Sequence, residues 1–247
     1  MERRLSPLIL LLTALLAFNS CSTSKKATTR KGDASVTANA PDYQQIKKDI
    51  NTKNGEFYYP ELLRRFQAAD TTLTKEQRRH FYYGAATLPD YNPYRSNNYD
   101  ALHKALDKGT RTKEDWEEAA RVVEEELKTE PTNIRFHLYK YYIYENLYGS
   151  HSKQANDAHD QLGILFSAVA SSGNGLAQAS AFHVINVTDE YGIMDLLGLS
   201  LKSQSLVHGD HGQSYDVMEL KANEMGLERL YFNITVSFES SKSLFGF

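Results

Sequence analysis

Few side chains in this sequence have types and spacing that suit chemistry, and the clearest group is the turn His208-Gly-Asp-His211. Imidazoles and carboxylates are ligands that zinc accepts, so His208, Asp210 and His211 are the only candidates for metal ligands. A glycine-rich turn also favours Gly and Asp for backbone reasons alone, and a further ligand is not apparent nearby. We therefore predict that the protein uses no metal or other cofactor, and metal-assisted hydrolysis of a cell-wall or glycan substrate is kept as an alternative function.

The motifs of common catalytic centres are absent from the rest of the sequence. It contains no Gly-x-Ser-x-Gly elbow, no phosphate loop, no Gly-x-Gly-x-x-Gly turn and no His-Glu-x-x-His pair. Asp189 and Glu190 have the chemistry of acid–base groups, but acids at the start of a helix are also favoured by the helix dipole. We therefore predict no catalytic residues and expect a non-enzymatic binding protein.

Cys21, the only cysteine, follows a short apolar segment at residues 5–18. Basic residues before a short apolar run are typical of an export signal, and a membrane-spanning helix needs about 20 apolar residues. A small residue, Ser20, directly before a single cysteine resembles the bacterial lipoprotein signal. We predict a signal peptide over residues 1–20 and lipidation of Cys21, which would attach the protein to a membrane. The alternative is an ordinary secretory signal cleaved near Ser20.

Residues 21–41 carry the lipidated cysteine and lack apolar periodicity, which predicts a flexible tether. No anionic cluster follows Cys21, and such a cluster marks export to the cell surface in some bacterial lipoproteins. We therefore expect the protein in the cell envelope, at the outer membrane and on its periplasmic face. Residues 42–247 are expected to form a single globular domain. The whole chain has a formal net charge of −3, so we expect no basic surface that would bind a nucleic acid.

Apolar residues at helical spacing predict a mostly helical body over residues 42–172. The strongest pattern is that of Trp116, Ala119 and Val123, which share one face of a helix whose other face is acidic. Thr74 and Gln77 match a capping box. The predicted helices are 43–50, 60–69, 75–86, 98–108, 112–129, 134–148 and 152–171.

The last four of these helices form two consecutive pairs. Their spacing of about 35 residues, and the proline at position 131 that ends the second helix, resemble a tetratricopeptide repeat. Glu126 and Lys140 stand where that repeat has small residues, so we expect degenerate helical hairpins. Stacked pairs of this kind build a curved surface that binds peptides or proteins.

Tyrosine is common in this chain, with 16 tyrosines against 11 phenylalanines. Its ring suits both buried cores and hydrated binding surfaces, because it joins a large apolar face to a polar hydroxyl. We predict that Tyr82, Tyr91, Tyr94, Tyr139 and Tyr142 line an exposed surface that binds a protein or peptide of the envelope. Stacking of sugars on the same rings would make the protein a glycan-binding protein, which is an alternative function.

The composition changes after a break at residues 171–175. β-Branched and aromatic residues predict strands at 182–188, 203–207, 215–221 and 230–238, with a helix at 189–197. Strands that follow one another with short turns predict a small antiparallel β-meander over 173–247, packed against the helical hairpins. The expected fold class is therefore α+β.

Several stretches resemble a known family. They are Tyr58–Thr74, Phe81–Gly84, Asp90–Tyr94 and Leu230–Ile234, and they resemble the domain-of-unknown-function 4919 family. The resemblance covers most of residues 43–238. It implies a lipoprotein or secreted protein of Bacteroidota with the family's architecture, and it implies no activity.

Asp70-Thr71-Thr72 resembles the O-glycosylation signal of envelope proteins from the same group of bacteria. The tripeptide lies between two predicted helices, in a polar segment where a modifying enzyme would reach it. Thr71 is therefore predicted to carry a glycan.

Overall fold

A computed structural model describes residues 39–95, 98–107, 109–210 and 212–245. The helices of this part are α1 (Tyr43–Ile50), α2 (Tyr59–Gln67), α3 (Lys75–Ala85), α4 (Tyr99–Leu106), α5 (Lys113–Thr129), α6 (Ile134–Tyr148), α7 (Lys153–Ala170), α8 (Val187–Leu196) and α9 (Thr235–Phe245). The strands are β1 (Phe182–His183), β2 (Leu201–His208), β3 (Ser214–Leu220) and β4 (Arg229–Asn233). A mostly helical body with a small sheet towards the C-terminus confirms the predicted α+β class.

The helices begin where the sequence supplies capping side chains. The Thr74 hydroxyl accepts from the Gln77 amide at 3.2 Å, and the Gln77 side chain accepts from the Thr74 amide at 3.0 Å, which confirms the predicted capping box. Thr112 and Asp115 form a second reciprocal cap at the start of α5. These caps satisfy amides that have no partner within the helix, so the ends of α3 and α5 are set locally.

Buried apolar side chains form two cores. The main core joins α1, α2, α3, α7 and α8 to the sheet, and Phe66, Phe81 and Phe232 lie inside it. The second core lies between α4, α5 and α6, around Leu102 and Val123. Helix α6 contributes Ile134 to the main core and Phe136 to the second core. The helix therefore packs against neighbours on more than one face, while its Tyr142 and Tyr148 are exposed.

The four-stranded sheet has the order β1-β4-β3-β2. Strands β2, β3 and β4 form the predicted antiparallel meander, with Val217 opposite both Ser205 and Tyr231. Strand β1 instead pairs in parallel with β4, through Phe182 and His183. Strand β2 is an outer strand, and most of its residues are exposed.

Two predicted strands are longer than those observed. The first is only Phe182–His183, because helix α8 already begins at Val187 and its Asp189 is buried against α6. The last ends at Asn233, where the Asn233 side chain accepts from the Thr235 amide at 3.1 Å and starts α9. The strand predicted to reach residue 238 is therefore wrong beyond Asn233, since the asparagine side chain forms a turn with the backbone two residues on and the chain is helical from Thr235.

The two predicted helix pairs are present as α4 with α5 and α6 with α7, and consecutive helices pack against each other. Helix α4 is shorter than the predicted range 98–108. It ends at Leu106, and Asp107 is its C-cap residue. A relationship to the tetratricopeptide repeat stays a prediction, as does the single-domain organisation over 42–247.

Candidate functional site

The five tyrosines predicted to form one binding surface lie in different environments. Tyr82 is fully buried, and its hydroxyl donates to the Asp189 carboxylate at 2.6 Å. The prediction of an exposed Tyr82 is therefore wrong. Tyr94 and Tyr142 are exposed, whereas Tyr91 and Tyr139 are half-buried and pack against different cores.

Of the three candidate metal ligands, His211 lies outside the described residues. His208 ends strand β2, where its Nδ1 lies 3.3 Å from the Ser214 hydroxyl and its ring lies 5.8 Å from that of Phe238. Asp210 is exposed in the turn. Within the described residues, no group of three or more His, Cys, Asp or Glu side chains is arranged to hold a metal ion.

Thr71 lies in an exposed turn between α2 and α3. The neighbouring Thr72 hydroxyl is engaged, since it donates to Asp70 at 2.6 Å and accepts from Arg65 at 3.0 Å. No described contact involves the Thr71 hydroxyl, whereas its carbonyl accepts from Arg78 at 2.8 Å. The turn thus holds Thr71 with its backbone fixed and its hydroxyl available.

We expect the mature protein to carry a glycan on Thr71. Mass spectrometry of a proteolytic peptide that contains Thr71 should show a sugar mass, and the peptide from a Thr71→Ala variant should not. An unmodified Thr71 peptide from protein purified from its native envelope would contradict the prediction.

A cavity of about 200 Å³ lies beside Tyr59, and we call it the Tyr59 cavity. Its wall combines the start of α2 and the end of α3 with three connecting segments. These segments are residues 88–95, residues 128–132 at the end of α5, and residues 185–186 before α8. Proline residues keep 88–95 out of helical structure, as predicted, so this loop can cover the space between helices.

Polar groups without partners face this cavity from different elements. Tyr59 is only 7% exposed, and its hydroxyl has no hydrogen-bond partner. Asn186, also 7% exposed, lines the cavity, and Arg95 Nε is a second buried atom without a hydrogen-bond partner. A buried polar group without a partner lowers the stability of the fold by about 1–3 kcal/mol, so two of them in one wall require an explanation.

Charged side chains of both signs complete the wall. Arg95 donates through Nη2 to the Asp90 carbonyl at 3.1 Å, and its Nε lies 3.8 Å from Glu130 Oε1. Burial raises the pKa of Glu130, although Asn133 donates to it at 2.9 Å. Lys128 is paired with Glu125 at 2.7 Å. Asp90 and Glu130 thus balance Arg95 and Lys128, and the wall has no net formal charge.

Of the five tyrosines predicted to form a binding surface, Tyr91 lines the Tyr59 cavity. Its hydroxyl donates to the Ile185 carbonyl, which ties the 88–95 loop to the segment before α8. Burial raises the pKa of both Tyr59 and Tyr91, so each hydroxyl keeps its proton at neutral pH and can donate. Tyr91 was predicted as a binding residue from its residue type alone, whereas no sequence pattern predicted a binding role for Asn186, Arg95 or Glu130.

A second group of buried polar side chains lies between α8 and its neighbours. The Asp189 carboxylate accepts from Tyr82 and, at 2.8 Å, from the first amide of α6 at Ile134. Burial raises the pKa of Asp189 to about 7. Asp189 thus accepts at the start of α6 and from Tyr82 of α3, so its contacts connect three helices.

Glu190, the next residue, is fully buried beside Asp216 of β3. Neither oxygen of a Glu190 carboxylate has a hydrogen-bond donor to accept from, whereas a protonated Glu190 donates to Asp216. Asp216 also accepts from Gln204 at 2.7 Å. Burial and the neighbouring Asp216 and Asp189 raise the pKa of Glu190 well above its ordinary value.

The fold defines an α+β protein with a mostly helical body and a partly open cavity lined by polar and apolar residues. The model of the domain of unknown function DUF4919 matches residues 44–243. The chain therefore belongs to the DUF4919 family, as its resemblance implied. No curated protein and no solved structure shows a significant match to it. Among the described residues, no helix is long and apolar enough to span a membrane.

Proposed function

We propose that the protein is a non-enzymatic binding module of the cell envelope and that the Tyr59 cavity holds its ligand. The observation that carries this proposal is a pair of buried polar atoms, the Tyr59 hydroxyl and Arg95 Nε, which lack hydrogen-bond partners and belong to residues in the wall of one cavity. A ligand that hydrogen-bonds to both would remove the cost of leaving them unpaired, which favours binding.

Buried titratable groups elsewhere serve contacts that stabilise the fold, which supports binding rather than catalysis. Asp189 caps α6, and His137 donates to the Pro131 carbonyl at 2.9 Å while burial lowers its pKa to about 3. His80 lies 3.1 Å from Asp49 and stacks on Phe57 at 3.8 Å. None of these groups lines the Tyr59 cavity.

A Tyr59→Phe variant should keep its stability and lose ligand affinity. Removing a hydroxyl that has no partner in the folded protein costs nothing, whereas losing one hydrogen bond to the ligand lowers affinity about tenfold. The free energy of unfolding comes from urea titration. Binding comes from ligand-observed NMR against amino acids, dipeptides, nucleosides and monosaccharides, with Tyr142→Phe as the control for an exposed tyrosine.

Two results would contradict this prediction. A loss of stability above about 1 kcal/mol would show that the Tyr59 hydroxyl has a structural partner. Binding that is equally strong in the wild type, Tyr59→Phe and Tyr142→Phe would place the ligand elsewhere.

We propose that the protein is located at the periplasmic face of the outer membrane, where a lipid on Cys21 anchors it and residues 21–41 form the tether. The sequence pattern around Cys21 supports it, since a chain with several acyl groups on one residue anchors stably. A Cys21→Ser variant should therefore move from the membrane fraction to the soluble fraction. Mass spectrometry of the N-terminal peptide checks the lipid directly, and an unmodified Cys21 peptide or equal membrane association of both proteins would overturn the anchor.

A protein or peptide partner is the second candidate function, and strand β2 favours it. Strand β2 pairs with β3 on one side and is the outer strand of the described sheet. Leu206 is 46% exposed and Val207 is 39% exposed, on opposite faces of this strand. An exposed outer strand with apolar side chains offers backbone groups to which an extended peptide can add. Crosslinking of the full-length protein in cells should then capture a partner that Leu206→Lys loses.

A further inference from the structure

The chemistry of the Tyr59 cavity narrows the class of its ligand, on the assumption that the proposed binding function holds. The groups in the wall differ in what they can exchange. A carboxylate such as Asp90 only accepts, the Arg95 guanidinium only donates, and the Asn186 amide and the Tyr59 hydroxyl do both. A complementary ligand must therefore both donate and accept hydrogen bonds at several closely spaced positions.

Charge gives the second constraint. The formal charges of the two acids and two bases in the wall sum to zero, so the wall as a whole has no excess charge of either sign. Burying a charged ligand group carries a desolvation cost, which an uncharged ligand avoids. The Asp90 carboxylate is exposed and has no hydrogen-bond partner among the described residues, and its charge adds to the effect of burial in raising the pKa of Tyr59, which lines the same cavity. It is positioned to accept from a ligand that also reaches Tyr59.

Size gives the third constraint. Pockets for drug-sized ligands have about 300–1,000 Å³. The Tyr59 cavity has about 200 Å³, which suits one small ring with its substituents rather than a folded or extended chain. The half-buried ring of Tyr91 adds an aromatic surface to the wall, on which the C–H groups of such a ring can pack.

We infer that the ligand is an uncharged sugar, bound as a single residue or as the end of a glycan. Its hydroxyls each donate and accept, which matches the mixture of groups in the wall. Asp90 accepts from hydroxyls at the open side, and Asn186 and Tyr59 hydrogen-bond at the buried side. Arg95 donates to a hydroxyl or ring oxygen, and Glu130 holds Arg95 in place.

Calorimetric titration of the purified protein with defined sugars tests this assignment. The neutral probes are glucose, galactose, mannose and N-acetylglucosamine, and the charged probes are glucuronic acid, glucosamine and a dipeptide. At least one neutral sugar should bind, and Asp90→Ala and Tyr59→Phe should each weaken it about tenfold, the equivalent of one lost hydrogen bond. Glu117→Ala, on the exposed acidic face of α5, is the matched control and should leave binding unchanged.

The possible outcomes distinguish a failure of the sugar assignment from a failure of the proposed binding function. Binding of a charged probe, sensitive to Tyr59→Phe, with no neutral sugar bound would overturn the sugar and leave the cavity as the binding site. If no probe binds, or if binding is unchanged in both Tyr59→Phe and Asp90→Ala, the sugar assignment and the binding function of the cavity are both overturned. Circular dichroism of each variant shows that a lost affinity is not a lost fold.

Discussion

Replacing Asp189 by alanine should lower the free energy of unfolding by about 4 kcal/mol, because it leaves two buried donors without an acceptor. The donors are the Tyr82 hydroxyl at 2.6 Å and the Ile134 amide at 2.8 Å. Tyr82 lies in α3 and Ile134 begins α6, so one carboxyl connects elements that are far apart in the sequence. Urea unfolding followed by circular dichroism measures the loss.

Asp189→Asn is the matched control for this prediction. The asparagine carbonyl can still accept from Ile134, and its amide can donate to the Tyr82 hydroxyl, which already accepts from the Ile185 amide at 3.2 Å. We expect the asparagine variant to lose less than half of what the alanine variant loses. A loss below about 1 kcal/mol for Asp189→Ala would show that the carboxyl is not a structural acceptor.

Replacing Glu190 by glutamine should stabilise the protein at pH 8 by about 2 kcal/mol, the typical cost of leaving a buried polar group unpaired. A glutamine amide donates to Asp216 at every pH, whereas ionised Glu190 has no donor to accept from. The effect is large because Glu190 is fully buried and two further acids, Asp189 and Asp216, lie near it.

The pH dependence of this gain has a definite sign. The folded protein holds the Glu190 proton more tightly than the unfolded chain, whose glutamate has the ordinary pKa of 4.5. Between 4.5 and the raised pKa the folded state binds more protons, so wild-type stability falls as pH rises through that window. Asp189 and Asp216, with raised pKa values, act in the same direction in both proteins.

The difference between Glu190→Gln and the wild type therefore reports on the Glu190–Asp216 pair. We expect the advantage of the variant to be small at pH 5 and to grow towards pH 8, as measured by urea unfolding at both values. Glu117→Gln, which changes an exposed acid on α5, should show no such growth. An advantage that is the same at pH 5 and pH 8 would mean that Glu190 is ionised in the folded protein throughout.

Local signals explain which elements could be predicted from the sequence. Helices α5 and α6 were predicted closely, because apolar spacing and side-chain caps act within a few residues. The segment after Asn233 alternates in polarity like a strand, yet it is helical. Its Thr235 hydroxyl accepts from the Ser214 amide of β3 at 3.0 Å, a contact between residues distant in the sequence. A contact of that kind leaves no local pattern.

The binding residues were harder to predict than the helices. Residue type alone could not separate buried Tyr82 from exposed Tyr142, because the partner of Tyr82 is Asp189 in another part of the chain. The Tyr59 cavity likewise brings together segments that are distant in sequence, and its polar groups follow no shared spacing. Such a site becomes visible only when burial and hydrogen-bond partners are known.

The most direct test of a sugar in the Tyr59 cavity is NMR of the protein with ¹³C-labelled tyrosine rings. Tyr59→Phe and Tyr91→Phe spectra assign the two ring signals, and a mixture of glucose, galactose, mannose and N-acetylglucosamine is then added. We predict that the Tyr59 and Tyr91 signals shift with saturation while the exposed Tyr142 does not. Unchanged Tyr59 and Tyr91 signals at saturating sugar would contradict the account.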